Sequence, residues 1–194
     1  MRAEASLAIA VAALASLFTT AAHAEGEPVG FAPVAEAGAG FGAVGQLALS
    51  LGGTADEHFF FHKSGGAWQL QLAPAADYFI APRVSVGGVV AFGHDSGGAG
   101  TNSDGVNHYK LAARVGYVFA FNDRFGLWPL GGLAVAHTSV DHGSSTETDL
   151  TIYAPFLFYP APHFFVGAGP SFNIHLAGDG ATEWGIDSML GGWF

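Results

Sequence analysis

The chain has 194 residues, half of them hydrophobic, with 29 Gly, 17 Phe and no Cys, and its 6 Lys plus Arg against 16 Asp plus Glu give a formal net charge of −10. That length fits one domain, the lack of Cys requires a fold held without disulfides, and an acidic chain with no basic stripe excludes nucleic acid as a partner, because nothing neutralises the phosphates. Mean hydropathy is positive and only 11% of residues are charged, yet no segment beyond the N-terminus supplies the about 20 consecutive apolar residues of a spanning helix.

The first element is an export signal. Met1 and Arg2 form a short basic head, Leu7 to Phe18 an apolar run, and Ala22-His23-Ala24 a small-x-small cleavage site, the three parts of a secretory signal peptide. Residues 1–24 are therefore predicted to be removed, leaving Glu25 as the mature start; Arg2 and Glu4 leave together and the net charge is unchanged. No Cys follows the apolar run, so the signal is not of the lipoprotein kind. Residues 25–43 read as a lead-in segment and 44–194 as the folded domain.

From there the apolar residues recur with a period of two, the signature of strands. Trp68, Leu70, Leu72, Ala76, Tyr78 and Ile80 share one face, opposite Gln69, Gln71, Ala73, Ala75 and Asp77. Tyr109, Leu111, Ala113, Val115, Tyr117, Phe119 and Phe121 do the same opposite Lys110, Ala112, Arg114, Gly116 and Ala120. Eight strands are predicted at about 44–53, 67–79, 84–93, 107–121, 125–138, 149–159, 163–176 and 182–194, with boundaries good to about two to four residues. Three connectors are tight, 80–84, 121–125 and 159–163, and four are long and polar, 54–66, 94–107, 139–149 and 176–182. Short turns at one end and long loops at the other describe an antiparallel up-and-down β-barrel.

A water-soluble barrel would show the same alternation with its apolar face inward. The face opposite the large apolar residues is here Gly, Ala and Ser with few charges, whereas a soluble surface carries about 25% charged residues. The apolar face is thus expected to meet lipid and the small residues to fill a narrow lumen, as eight strands require. Trp68 to Tyr78, Tyr109 to Phe119 and Trp184 to Phe194 are each ten residues apart. Ten strand residues at about 3.3 Å, tilted by roughly 40°, span about 25 Å, the height of a barrel's apolar band between its aromatic girdles. These six rings are the expected membrane-interface residues, with Phe79, Phe121, Phe125, Phe158, Tyr159 and Phe164 crowding the short-turn end.

The signal peptide, the eight alternating strands and an aromatic residue ending the last one resemble the small outer-membrane β-barrels of the OmpA/OmpX-like superfamily of Gram-negative bacteria. The resemblance covers 44–194 and rests on pattern. It implies an outer-membrane location and lipid and lipopolysaccharide as surroundings. It further implies periplasmic chaperones and the barrel-assembly machinery as partners during biogenesis, the latter reading a C-terminal signal that Ile186, Leu190 and Phe194 resemble. Gly192 stands where that family usually has a bulky residue. A monomer is expected.

Few residues suggest chemistry. Lys110 and Arg114 are predicted to face the lumen with Asp77, Asp187 and Glu183, and buried charges need partners, so these five are read as a structural network that fills the interior. The loop-end histidines His58, His62, His94, His108, His137, His142 and His175 lie among carboxylates, and His58 with His62 or His137 with His142 is a weak candidate for metal. The segment "HTS" at 137–139 resembles the His-x-Ser arrangement of the lipid A deacylases, also small outer-membrane barrels; Val140 replaces their Asn, and Glu147 or Asp149 would have to supply the acid of a triad. The expectation is a structural or surface-interaction protein, with no enzyme activity, no cofactor and no metal.

Overall fold

The computed structural model describes residues 40–54, 57, 59–64, 67–97, 105–140, 143–177 and 181–194. The predicted signal peptide, almost all of the lead-in, and His58 and His142 lie outside the described residues. Gly40–Phe194 forms one compact unit.

The unit is all-β and antiparallel. Its strands in chain order are β1 (Leu47–Gly52), β2 (Phe60–Ser64), β3 (Ala67–Leu72), β4 (Pro74–Ala81), β5 (Val84–Asp95), β6 (Val106–Tyr117), β7 (Phe119–Ala120), β8 (Phe125–Leu127), β9 (Leu130–Val140), β10 (Gly143–Tyr153), β11 (Phe156–Ala161), β12 (Phe164–Ala177) and β13 (Glu183–Trp193). Among the described residues no helix is long and apolar enough to cross a membrane. Eight strands pair in a ring, β1-β4-β5-β6-β9-β10-β12-β13 and back to β1. Each edge is therefore satisfied by a neighbour, which removes the open edge that a sheet of this length would otherwise expose. At the seam Leu47 and Phe194 exchange two backbone hydrogen bonds of 3.1 and 3.0 Å.

Each of the eight predicted strands has its counterpart, with three differences. First, Pro74, Pro129 and Pro155 lack the N–H that a ladder needs, so the second, fifth and sixth are split into β3/β4, β8/β9 and β10/β11. The fourth is split at Val118 into β6/β7. Second, the expected loop 139–149 is mostly hairpin: β9 and β10 pair up to Val140 and Gly143. Thr138, Thr146 and Thr148 are β-branched and favour strand while tolerating water. Third, the expected loop 54–66 contains β2, which pairs with β3 and lengthens the wall at the long-loop end.

The alternation has the predicted sense. Leu49, Tyr78, Ile80, Val90, Val115, Leu133, Phe156, Ile186 and Leu190 are exposed on the outer face, while Ser50, Asp77, Lys110, Arg114, Thr151, Ser171 and Asp187 are buried within. Trp68, Tyr78, Tyr109, Phe119, Trp184 and Phe194, the six expected girdle rings, are all exposed. Phe79 corrects the sequence reading: it is fully buried inside, not part of the outer girdle. It belongs to an aromatic layer at the short-turn end made with Phe41, Trp128, Phe165 and Trp193. Phe41 sits within about 5 to 6 Å, centroid to centroid, of Phe79 (5.2 Å), Trp128 (5.0 Å), Phe165 (5.2 Å) and Trp193 (5.3 Å). Sequence reading places Phe41 in the lead-in, but the turn that carries it is pinned. Gln46 accepts hydrogen bonds from the Gly42 and Ala43 N–H groups, and Arg83 N–H donates to Gly42 O at 2.7 Å.

The tight turns Ala81-Pro82-Arg83-Val84 and Ala161-Pro162-His163-Phe164 share a design: Pro presets one turn residue and the next, Arg83 (φ 66°) or His163 (φ 59°), takes the left-handed conformation. The second turn also accounts for Gly192. A Cβ there would lie 2.7 Å from His163 O, so the bulky residue expected from the family pattern has no room beside this turn.

Candidate functional site

The interior is built in three layers between the short-turn end and the long-loop end. Above the aromatic layer lies an ion pair. Arg114 of β6 donates to both carboxylate oxygens of Asp77 on β4, from Nε to Oδ1 at 3.0 Å and from Nη2 to Oδ2 at 2.5 Å, and reaches Ser50 of β1 at 3.4 Å. Asp77 is 0% and Arg114 7% exposed. The two side chains meet across β5 because the register places Gly87 between them, opposite Asp77 on one side and Arg114 on the other. A Cβ at Gly87 would sit 2.2 Å from Ala76 O and 2.4 Å from Asp77 Oδ1. Gly132, Arg114's partner on β9, would likewise drive a Cβ to 2.4 Å from Ala113 O. Gly87→Val is accordingly expected to lower stability by about 1–3 kcal/mol through overpacking, read as a lower guanidinium midpoint of the refolded protein.

The next layer holds Lys110, whose ammonium lies 3.2 Å from Glu57 Oε1 and 3.2 Å from Thr54 Oγ1. Sequence reading puts Glu57 in an outer loop; it is instead 2% exposed and inside the barrel. β1 stops at Gly52, which has φ +87°, and the chain turns inward through Gly53. Thr54 N–H then donates to Glu57 Oε2 at 3.1 Å, and Glu57 N–H returns to Thr54 O at 2.6 Å. The Glu57 side chain thus caps the Thr54 N–H, the glutamate half of the Thr-x-x-Glu pattern of helix starts, while Thr54 Oγ1 is left to accept from Lys110. The residue pattern "TADE" after a Gly pair was the available signal for it.

Asp187 is buried and accepts a hydrogen bond from Ser171, while Tyr153 OH donates to the Asp187 backbone carbonyl at 3.2 Å. Glu183 is exposed and lines the open cavity at the long-loop end, with no ion pair among the described residues. The network's second acid is Glu57.

The third layer is open. A cavity of about 380 Å³ occupies the long-loop end, its walls including Gln69, Gln71, His108, Thr138, Glu147 and Glu183 and its floor Lys110. A second void of about 10 Å³ lies beside Glu57, Arg114 and Tyr153, room for one water at most. At the rim Asp95 accepts hydrogen bonds from Gly97 N–H and Gln69, and these hold its carboxyl below the ordinary carboxylate range. The tie this carboxylate gives between β3 and β5 is therefore present above that range and lost only as pH falls through the lowered value.

The histidines are dispersed. His94 packs on Trp68 and meets Asn107 at 2.7 Å; His108 meets Thr138, His137 meets Thr146, and His175 meets Asp149 at 2.7 Å. Among the described residues no three His, Asp or Glu side chains are placed to hold a metal ion. His137 and Ser139 share the outward face of β9, whereas Glu147 and Asp149 share the inward face of β10 with buried Thr151. The acids that a triad would need thus point away from the pair. Ser139→Ala is expected to leave the acyl-chain pattern of lipid A unchanged, which mass spectrometry of extracted lipid checks.

No family model and no curated protein matches the chain. Among solved structures it is similar to the outer membrane protein Ail of Yersinia pestis. The backbone structure of Ail in a phospholipid bilayer nanodisc is 19% identical, with a TM-score of 0.49, covering 77% of this chain and 99% of that one. The crystal structure of Ail, the attachment invasion locus protein, is 19% identical with a TM-score of 0.44, covering 78% and 100%. Similarity at this level carries no statement about activity.

Proposed function

We propose that the protein is an integral β-barrel of the Gram-negative outer membrane, of the OmpA/OmpX-like kind, with a structural or surface-interaction role and no catalysis. One observation carries the reading. The outer face of the ring is studded with exposed Leu, Val, Ile and aromatic residues, and the charged residues Asp77, Lys110, Arg114 and Asp187 lie buried within. Bare apolar surface of that extent is not tolerated by a monomer in water, whereas a closed barrel in lipid has every backbone group satisfied and its apolar side chains in the right solvent. Export through a signal peptide cleaved after Ala24, and assembly guided by Phe194, complete the reading. The lumen is closed to solutes by the two ion pairs and the aromatic layer, so surface properties reside in the polar loop end and its surrounding lipopolysaccharide.

Fractionation tests this. The protein is expected in the outer-membrane fraction, starting at Glu25, migrating faster in unheated than in boiled detergent samples. Recovery from the soluble periplasm, or mobility insensitive to boiling, would overturn the reading. In planar bilayers the closed lumen predicts no single-channel steps.

A further inference from the structure

We propose that the barrel wall has a side entrance at the long-loop end, between β2 and β13, through which the cavity takes the polar end of an amphiphile from the surrounding lipid. The register locates it. β1 pairs with β4 on one side and β13 on the other, Leu51 lying opposite Pro74 and Leu190. β2 continues the same column of the wall. Phe60 lies opposite Gln71 of β3, so Phe59 stands level with Leu72, the place Gly53 would take if β1 ran on. Gly53, Thr54 and Glu57 are instead buried inside. Yet β2 pairs with β3 alone, and on the β1 side β13 has no strand partner from Ser188 back to Glu183. Among the described residues the seam is zipped as far as Gly52 and open above it.

The gap has the chemistry of an amphiphile site. Its rims carry backbone polar groups without a strand partner. Leu47 and Phe194 exchange two hydrogen bonds, so alternate residues back from Phe194, Ile186 and Trp184 among them, turn N–H and C=O toward this edge. Hydrocarbon cannot satisfy such groups, whereas a hydrated head group can. On the outside the rims are apolar, with Phe61 65% and Ile186 80% exposed. On the inside the gap meets the cavity, which Phe60 of β2 and Glu183 of β13 both line and to which Gln69, Gln71 and Thr138 give polar walls. A volume of about 380 Å³ falls among small-molecule sites, which start at about 300 Å³. Continued across the gap, the β1–β13 register sets Lys63 opposite Trp184 and Phe61 opposite Ile186. Lys63 also pairs with Trp68, so the first of these rows lies in the expected girdle and the second on its lipid side. The guest's head group enters the cavity and its chain leaves between Phe61 and Ile186.

The inference rests on the membrane reading for its guest, not for the opening. His62→Cys/Gly185→Cys and Ser64→Cys/Glu183→Cys bring two thiols together only when β2 swings onto β13 in the continued register. Both are non-hydrogen-bonded pairs, whose Cα separation of about 4.5 Å suits a disulfide. The chain has no Cys of its own, and the atom nearest a Cβ at Gly185 is Ser171 Oγ at 3.6 Å. Each full-length variant is refolded reduced into vesicles containing a lysophosphatidylcholine with a diazirine beside its head group. Illumination is expected to attach the lipid to Gln71 and Ala136 inside as well as to Leu133 and Val135 outside. Oxidation is expected to form the disulfide and to abolish the inside labelling while sparing the outside. Inside labelling unchanged by the disulfide, none in the reduced protein, or failure of both pairs to oxidise would overturn the proposal. A soluble protein that still forms the disulfides loses the membrane reading alone; an outer-membrane barrel never labelled inside loses the entrance alone.

Discussion

Arg114→Met is expected to destabilise the barrel by about 3–5 kcal/mol, the range seen when one partner of a buried ion pair is removed and the other left charged. The expected loss is large because Asp77 is 0% exposed and, with Arg114 gone, keeps only weak alternatives. Its neighbour across β5 is Gly87, which offers no side chain. The reverse variant, Asp77→Ala, strands a guanidinium whose remaining contacts are Ser50 at 3.4 Å and the face of Trp128 at 5.9 Å. The paired variant Arg114→Met/Asp77→Leu removes both charges and is expected to recover most of the loss, since an apolar replacement of a buried pair is often neutral. Unfolding midpoints of the four proteins in one lipid or detergent decide it. Equal stability of wild type and Arg114→Met would show that the pair is not desolvated.

Trp128→Ala is expected to cost about 3–5 kcal/mol, as for other fully buried aromatic residues truncated in a packed core. Trp128 sits where β8 gives way to β9, on the inward parity it shares with Gly126 and Leu130. Its ring stacks on Phe79 at 6.1 Å and meets Phe165 edge-on at 5.9 Å, and its indole N–H donates to Ser85 Oγ at 3.2 Å. The ring fits because β6 presents Gly116 to it: a Cβ there would stand 2.5 Å from the indole nitrogen. Truncation opens a void that no neighbouring strand can collapse into, because the hydrogen-bonded ring fixes the wall. Trp128→Phe, keeping most of the volume and losing the donor, is expected to cost clearly less. The comparison of the two in thermal unfolding separates packing from the hydrogen bond.

Much of this architecture is legible in the sequence because a strand's period of two is local. Tyr109 to Phe119 announces which residues face outward without reference to any other strand, and Asp77 and Arg114 fall on the inward parity for the same reason. What escaped is what depends on distant partners or on departures from the period. Phe79 has inward parity in its own strand, yet its aromatic character suggests a girdle; only the convergence of Phe41, Trp128, Phe165 and Trp193 explains an apolar floor inside a polar lumen. Glu57 lies in a segment with no periodicity at all, and its partner Lys110 stands 53 residues later in the chain. Glu183 shares the inward parity of Asp187 and, four residues nearer the loop end, lines the open cavity. The segment 139–149 reads as loop because its polar residues carry no apolar alternation, although Thr146 and Thr148 favour strand.

The four tryptophans offer the most direct test of the inside-outside sense on which the whole account rests. Trp68 and Trp184 are on the outer face, Trp184 being 77% exposed, and Trp128 and Trp193 are buried in the lumen at 0% and 6%. Four proteins, each keeping a single Trp and carrying Phe at the other three positions, are refolded into vesicles whose acyl chains carry bromine, a contact quencher of indole fluorescence. The account predicts strong quenching for Trp68 and Trp184 and little for Trp128 and Trp193; quenching of the second pair with sparing of the first, or no quenching of any, would contradict it.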